Sequence, residues 1–393
     1  MVCYADDTLV LIRGRGWHET LRVGEVAIAC AVRTVTVSPA KSEAVWFYDE
    51  DRRGTPPPGL RASVAGGSVE VGTRMKYLGL LLDSRWTFEP HFESLIPRVS
   101  AAANALCSLL PNIGGAGVAV RRLYEGVVRS RALYGAPIWA DDLAASRRSI
   151  LLLRRLHRVI AIRIARGYRT VSHASATALA ASPPWELRAL TLNERYLRSR
   201  GSVTDDPGGA AAAAEEAAWD RWRAQLIEDG GEHRGADAIL PNWEAWRCRR
   251  GLPLTYRMTQ VFAGHGVFGE HLKRISREET NTCHHCGESR DTAQHTLEFC
   301  PAWEIPRHAL RLVIGERLAP SAIVEAMLSG PREYEAVRSF CEQVMLAIRA
   351  RYGHRGGFSR YESGTTRRPL PGGREAPMKV SSTKKKKRRL KSE

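Results

Sequence analysis

An α+β fold is what this sequence predicts, with short strands gathered in its first 88 residues and helices through most of the rest. Three observations predict it. Up to Asp83, short β-branched, aromatic and aliphatic runs alternate with acidic or Gly/Pro-rich turns. From residue 89 onward, apolar residues recur at helical spacing. Near residue 290, three of the eight cysteines cluster with a histidine at metal-ligand spacing, and the chain closes on a cationic run.

Taken in order, Val2-Cys3-Tyr4 and Thr8 to Ile12 flank a short acidic turn, which predicts a hairpin. Trp17 to Val32 predicts a helix, and Ala44 to Tyr48 a strand. A Pro/Gly loop, Gly54 to Gly59, precedes further strands near Ser68–Val71 and Tyr77–Leu82. Helices are expected over 90–110, 117–134 and 146–166. In the last of these, Leu151, Leu152, Leu156, Val159, Ile160 and Ile164 form a seam of period near 3.6. Arg148, Arg154, Arg155, Arg158, Arg163 and Arg166 lie around it, either tracking phosphates or forming an ordinary solvated face. Residues 201–214, rich in Gly, Ala and Asp, read as a linker or exposed loop. A second helical region starts near Glu215 and carries Trp219, Trp222, Trp243 and Trp246, read as core ahead of base-stacking platforms.

Composition narrows the function. Of 393 residues, 44% are hydrophobic and 26% charged, ordinary for a globular chain. The net charge of +17 is not ordinary, and it predicts a polyanionic partner, usually nucleic acid. From residue 352 to 393 there are 13 Lys/Arg against 3 Asp/Glu, so over half the excess sits in the tail. That tail is expected to be disordered. Its run Lys384-Lys385-Lys386-Lys387-Arg388-Arg389 suits nuclear import, non-specific phosphate binding, or no role beyond a solvated end. The sparse cysteines and the lack of a leader pattern are expected of an intracellular, reduced protein. No apolar run reaches the roughly 18 residues a membrane span needs, so no membrane partner is expected.

Two constellations carry chemistry. Tyr4-Ala5-Asp6-Asp7 puts adjacent carboxylates on a hairpin tip. Their repulsion is relieved by a divalent cation, and two-metal phosphoryl transfer uses such carboxylates to hold Mg²⁺ ions about 3.5–4 Å apart. The alternative is a plain hairpin with a polar tip. The second constellation is Cys283-x2-Cys286-x8-His295-x4-Cys300. Zn²⁺ takes four such ligands in a tetrahedron, and a full set of protein ligands reads as structural. Gly287 suits the tight turn after the first pair. The alternatives are a chance grouping of thiols, or a fourth ligand drawn from His284, His285 or His308.

The first constellation, with three later strings, resembles the reverse transcriptases of non-LTR retrotransposons. The aromatic-x-Asp-Asp turn is similar to their polymerase motif. Ser38-Pro39-Ala40-Lys41-Ser42 resembles the next palm motif. Met75 to Asp83 resembles the hairpin that grips the primer strand, and Leu133-Tyr134-Gly135-Ala136-Pro137-Ile138-Trp139 the thumb. The Cys/His spacing, with Tyr256 to Gly266 upstream and Cys300-Pro301-Ala302-Trp303 at its end, is similar to the motif of type-1 elements that insert in insect ribosomal DNA.

The resemblance implies a division into 1–88, the C-terminal part of a palm; 89–200, a helical thumb; 201–214, a linker; 215–351, a helical region with a CCHC zinc segment at 283–300; and 352–393, a disordered basic tail. It implies an RNA-directed DNA polymerase whose partners are an RNA template, a DNA primer or nicked target, and deoxynucleoside triphosphates, working in the nucleus. Asp6 would ligate Mg²⁺ and Asp7 would join it in a weaker metal role. Lys41 would protonate the leaving pyrophosphate, or else be a surface lysine. Lys76, Tyr77 and Gly79 would position the primer end. In the family a further carboxylate and the fingers precede the Asp-Asp turn, and only three residues precede Tyr4 here. The expectation is a piece of a longer polyprotein that does not polymerise alone. The other reading is a nucleic-acid-binding module with a vestigial turn.

Overall fold

Strand pairing at the start of the chain follows the alternation in its sequence. The computed structural model describes residues 2–4, 7–33, 36–48, 56–201, 207–229, 233–249 and 252–353. β1 (Val2–Tyr4) and β2 (Asp7–Leu9) form an antiparallel hairpin in which Tyr4 pairs with Asp7. α1 (Trp17–Ala31) follows. A three-stranded sheet has the order β3 (Ala44–Val45), β5 (Gly67–Gly72), β4 (Arg61–Val64), with β3 parallel and β4 antiparallel to β5. Ala62, Val64 and Val69 are buried while their strand neighbours Arg61, Ser63 and Ser68 face water. Glu25 on α1 accepts the Ser63 N–H at 2.8 Å and ties the helix to β4.

Three strand expectations need correction. The strand expected over Thr8–Ile12 spans Asp7–Leu9. The strand expected over Ala44–Tyr48 ends at Val45. The strand expected over Tyr77–Leu82 is a hairpin, β6 (Arg74–Tyr77) and β7 (Leu80–Asp83), antiparallel to one another. Leu78 and Gly79 take φ of 45° and 85° between them. Two consecutive left-handed residues make the tight turn whose twist matches the flanking strands, and the glycine bears its half without a Cβ penalty.

Helices then dominate. α2 (Glu89–Cys107), α3 (Val118–Ala132) and α5 (Arg147–Ala165) lie within a few residues of expectation and pack on one another. A further helix, α4 (Ala136–Ala145), starts at the Gly135-Ala136-Pro137 joint, where proline at an early position suits a helix start. On α5 the seam is offset from the one expected. Leu153, Leu156, Ile160, Ala161 and Ile164 are buried, whereas Leu151 is 45% exposed. The surrounding helices select that stripe. α6 (His173–Ala180) and α7 (Trp185–Gly201) both pack on α5, and α7 also packs on α4.

The expected loop over 201–214 is helical from Pro207, where α8 (Pro207–Glu228) begins and packs on α7. Its Ala-rich start has high helix propensity, which outweighs the two glycines. α9 (Arg234–Asp237), α10 (Trp243–Cys248) and α11 (Tyr256–Ala263) follow. Trp222, Trp243 and Trp246 are buried, and Trp219 packs against Trp222 and Trp243, so this stretch is core. α12 (Gly269–Arg274) leads into the Cys/His segment. α13 (Glu304–Ile314) and α14 (Pro320–Ser329) then pack on α15 (Pro331–Gly353). A continuous apolar core runs from Leu80 on β7 to Ile348 on α15. Among the described residues no helix is long and apolar enough to cross a membrane.

Candidate metal centre and hairpin site

The metal centre is built from backbone hydrogen bonds around the four ligands. The Cys283 N–H donates to Glu288 O at 2.7 Å, and the Gly287 N–H returns to Cys283 O at 2.8 Å. Gly287 sits at φ 84°, a value that disfavours any side chain, so one tight turn presents Cys283 and Cys286 together. Asp291 anchors the far side. Its carboxylate accepts the Gly269 N–H at 2.9 Å, and its own N–H reaches Asn281 O at 2.7 Å. Thr292 Oγ1 accepts the His295 N–H at 2.9 Å. His295–Phe299 is a single π-helical turn, closed by the Cys300 N–H on His295 O at 2.8 Å. Pro301 comes next, so the wide turn cannot continue as a regular helix.

The four ligand atoms lie within 4.8 Å of one another. Cys283 Sγ is 3.9 Å from Cys300 Sγ, and Cys286 Sγ is 3.2 Å from His295 Nε2. A tetrahedral zinc with Zn–S near 2.3 Å has S···S edges of about 3.7 Å, so the donor set fits. Cys283, His295 and Cys300 are buried and Cys286 is half-buried. Burial pushes the Cys283 thiol up, and pushes Cys300 up to about 12. A buried dication reverses that preference by stabilising the thiolates. Four protein ligands leave no open coordination position, so the arrangement can cross-link the chain and is not built to activate water.

The alternative ligands do not join the group. His285 packs its ring 4.7 Å from Trp303, and His308 is exposed on α13. Beside the centre is a cleft of about 920 Å³, lined in part by Arg234, Glu270, Arg290, Gln294, His295 and Phe299. Its charge is mixed, since Arg290 Nη2 lies 2.8 Å from Glu270.

Near the start of the chain the expected site residues are spread over three elements. Asp6 lies outside the described residues, as do Lys384, Lys385, Lys386, Lys387, Arg388 and Arg389. Asp7 opens β2 with its side chain exposed. Among the described residues, which leave out Asp6, the Cys283–Cys300 group is the one cluster of three or more metal-ligating side chains. Lys41 ends a 3₁₀ turn, Pro39–Lys41, and is exposed. Lys76 is also exposed, and its N–H donates to Glu43 at 2.8 Å. Tyr77 packs against the core. At Gly79 a Cβ would stand 3.3 Å from the Tyr134 ring, whose hydroxyl donates to Leu78 O at 2.9 Å. Trp139 Nε1–H reaches Tyr134 O at 3.0 Å. The Leu133–Trp139 segment therefore seats on the β6–β7 turn, joining two stretches the sequence singles out separately.

Behind this hairpin, Asp83 is buried and accepts the Thr87 N–H at 3.1 Å and the Phe88 N–H at 2.7 Å. His91 Nδ1 accepts the Leu81 N–H at 3.3 Å. Burial, then Arg98, holds His91 down to about 4, so it is neutral at pH 7.

The arginines around α5 mostly bond within the chain. Arg154 pairs with Glu186 at 2.5 Å and Arg148 with Glu93 at 2.6 Å. Arg158 Nε donates to Val171 O at 2.6 Å, and Arg166 serves the carbonyls of Asn112, Gly114 and Ala116. Buried Arg121, from α3, serves Pro111, Ala116 and Arg163. A second feature without a sequence signal is a buried polar chain from α3 to α6. Ser182 Oγ donates to Glu125, so it accepts from His157 Nε2–H at 2.9 Å, and His157 Nδ1 accepts from His173 at 3.3 Å. Its members are up to 57 residues apart, beyond any spacing rule.

No protein-family model and no solved structure matches the chain. Relatives do. Over 88% of its length it is 26% identical to a 115 kDa protein in the type-1 retrotransposable element R1DM of Drosophila melanogaster, and spans 35% of that protein. It is 26% identical over 86% of its length to a retrovirus-related Pol polyprotein from the type-1 element R1 4 of Nasonia vitripennis, covering 93% of it. A Pol polyprotein from the element R1 of Bradysia coprophila is 26% identical over 63% of the chain, which covers 26% of that protein. Over most of its length the chain is similar to polyprotein sequences of type-1 retrotransposable elements.

Proposed function

We propose that this chain is part of an RNA-directed DNA polymerase that copies element RNA into DNA at a nicked target by two-metal nucleotidyl transfer. The observation that carries the reading is similarity to Pol polyproteins over most of the chain, with the aromatic-x-Asp-Asp hairpin, the Lys41 turn and the primer-type hairpin in the family's order. In this reading Asp6 and Asp7 are the Mg²⁺-binding carboxylates, and Lys41 faces the leaving pyrophosphate. Lys76, Tyr77 and Gly79 hold the primer end, backed by Tyr134. Cys283, Cys286, His295 and Cys300 hold a structural Zn²⁺, which when bound cross-links the segment after α12 to the start of α13. The tail run Lys384–Arg389 serves nuclear entry and phosphate contact.

The test is primer extension by the longer polyprotein that contains this chain, with a primed RNA template, deoxynucleotides and Mg²⁺. Asp6→Asn and Asp7→Asn are expected to lower synthesis by at least about 100-fold while leaving template binding intact. Full synthesis by both variants would sink the polymerase reading and leave a nucleic-acid-binding module.

A further inference from the structure

The π-turn that carries His295 and Cys300 does not satisfy its own backbone. The Cys300 N–H is committed to His295 O. Pro301 has no N–H, and by position it is the residue that would serve Leu297 O in an α-helix or Thr296 O in a π-helix. Both carbonyls sit in a buried segment, where an unpaired acceptor is costly.

One side chain from α13 supplies the missing donors. Arg307 is 1% exposed. Its Nε donates to Leu297 O at 2.8 Å, and its Nη2 to Cys300 O at 2.6 Å and Thr296 O at 3.4 Å. Its Nη1 is held by Glu304 at 2.6 Å. The planar guanidinium thus grips three carbonyls across the segment bearing two of the four ligands, while Glu304 fixes its orientation and balances its charge.

We propose that Arg307 is the positioning residue of the metal centre. It holds the turn in its ligating shape, so metal affinity is set partly from α13, outside the Cys/His motif. A lysine in its place keeps the charge but cannot serve three carbonyls with planar geometry. The inference rests on the structural-zinc reading above.

The experiment measures zinc dissociation constants by chelator competition, and Co²⁺ absorption spectra, on the full chain and three variants. Arg307→Met and Arg307→Lys are expected to weaken zinc binding by about 10–100-fold, the range for lost outer-sphere support, and to weaken the tetrahedral Co²⁺ bands. Arg311→Met is the control. Arg311 also pairs with Glu304, at 3.3 Å, and with Glu316, both away from the ligand turn, so the zinc affinity of this variant stays at the parental value. Unchanged affinity and spectra in the Arg307 variants overturn the proposal. If Arg307→Met does not fold, Arg307→Lys with parental affinity overturns it equally. A parent chain that binds neither metal overturns instead the zinc reading on which it rests.

Discussion

At the scale of single residues, arginine is used here as a backbone clamp. Arg121, Arg158, Arg166 and Arg307 all donate to main-chain carbonyls of loops or turns. Arg121 is held down to about 10 by burial, then by Arg166 and Arg163, yet stays charged at neutral pH. A five-donor fork can satisfy several carbonyls at once, which explains the burial of Arg121 and Arg307 in a strongly basic chain. The cysteines and His295 are the other residue-level device. Metal analysis of the dialysed chain is expected to give one zinc. Cys300→Ser is expected to lose it, with chelator then leaving the variant's melting temperature unchanged while lowering the parent's. A parent chain free of zinc, and indifferent to chelator, would refute the site.

At the scale of elements, the offset of the α5 seam makes a sharp contrast. Leu153 is fully buried and Leu151 is 45% exposed, though the periodicity alone favours Leu151. Leu153→Ala is expected to cost about 2–5 kcal/mol by opening a cavity, and Leu151→Ala under about 0.5 kcal/mol. Urea unfolding of both variants checks this, and equal losses would mean that α5 is rotated from the orientation described. The β6–β7 hairpin teaches the same lesson in strands. Its apolar letters run unbroken from Tyr77 to Leu82, apart from Gly79, and read as one strand. Two residues with positive φ split the run. A glycine inside an apolar run is a turn signal as much as a strand one, and the tyrosine 55 positions further on that covers it has no local signature.

At the scale of the molecule, buried imidazoles couple stability to pH. His157 is held well below its ordinary value by burial, with His173 and nearby arginines adding to it, and burial lowers His173 to about 3. In the unfolded chain both titrate near 6.5. The fold therefore keeps its full stability above about pH 6.5 and loses it as pH falls towards 3, because only the unfolded state takes up the protons. At pH 5 the loss is expected to be on the order of 2 kcal/mol for a fully excluded imidazole. Urea midpoints at pH 7.5 and 5 measure it. A midpoint unmoved between them would contradict the burial of this pair. Trp185, stacked 4.8 Å from His157, supplies a fluorescence probe at the same spot.

The sequence by itself determined the strands-then-helices order, the limits of α1, α2, α3 and α5 to within a few residues, and the four side chains that come together as a candidate metal site. Those features rest on local signals: periodicity, turn chemistry, and ligand spacing that one tight turn can satisfy. Only the tertiary structure decided which stripe of α5 is buried, that Tyr134 caps the Leu78–Gly79 turn, and that Arg307 holds the ligand turn. Each of these depends on partners far along the chain or on competition among neighbours for the same core. A linear pattern records what a segment prefers, and packing decides which preference prevails.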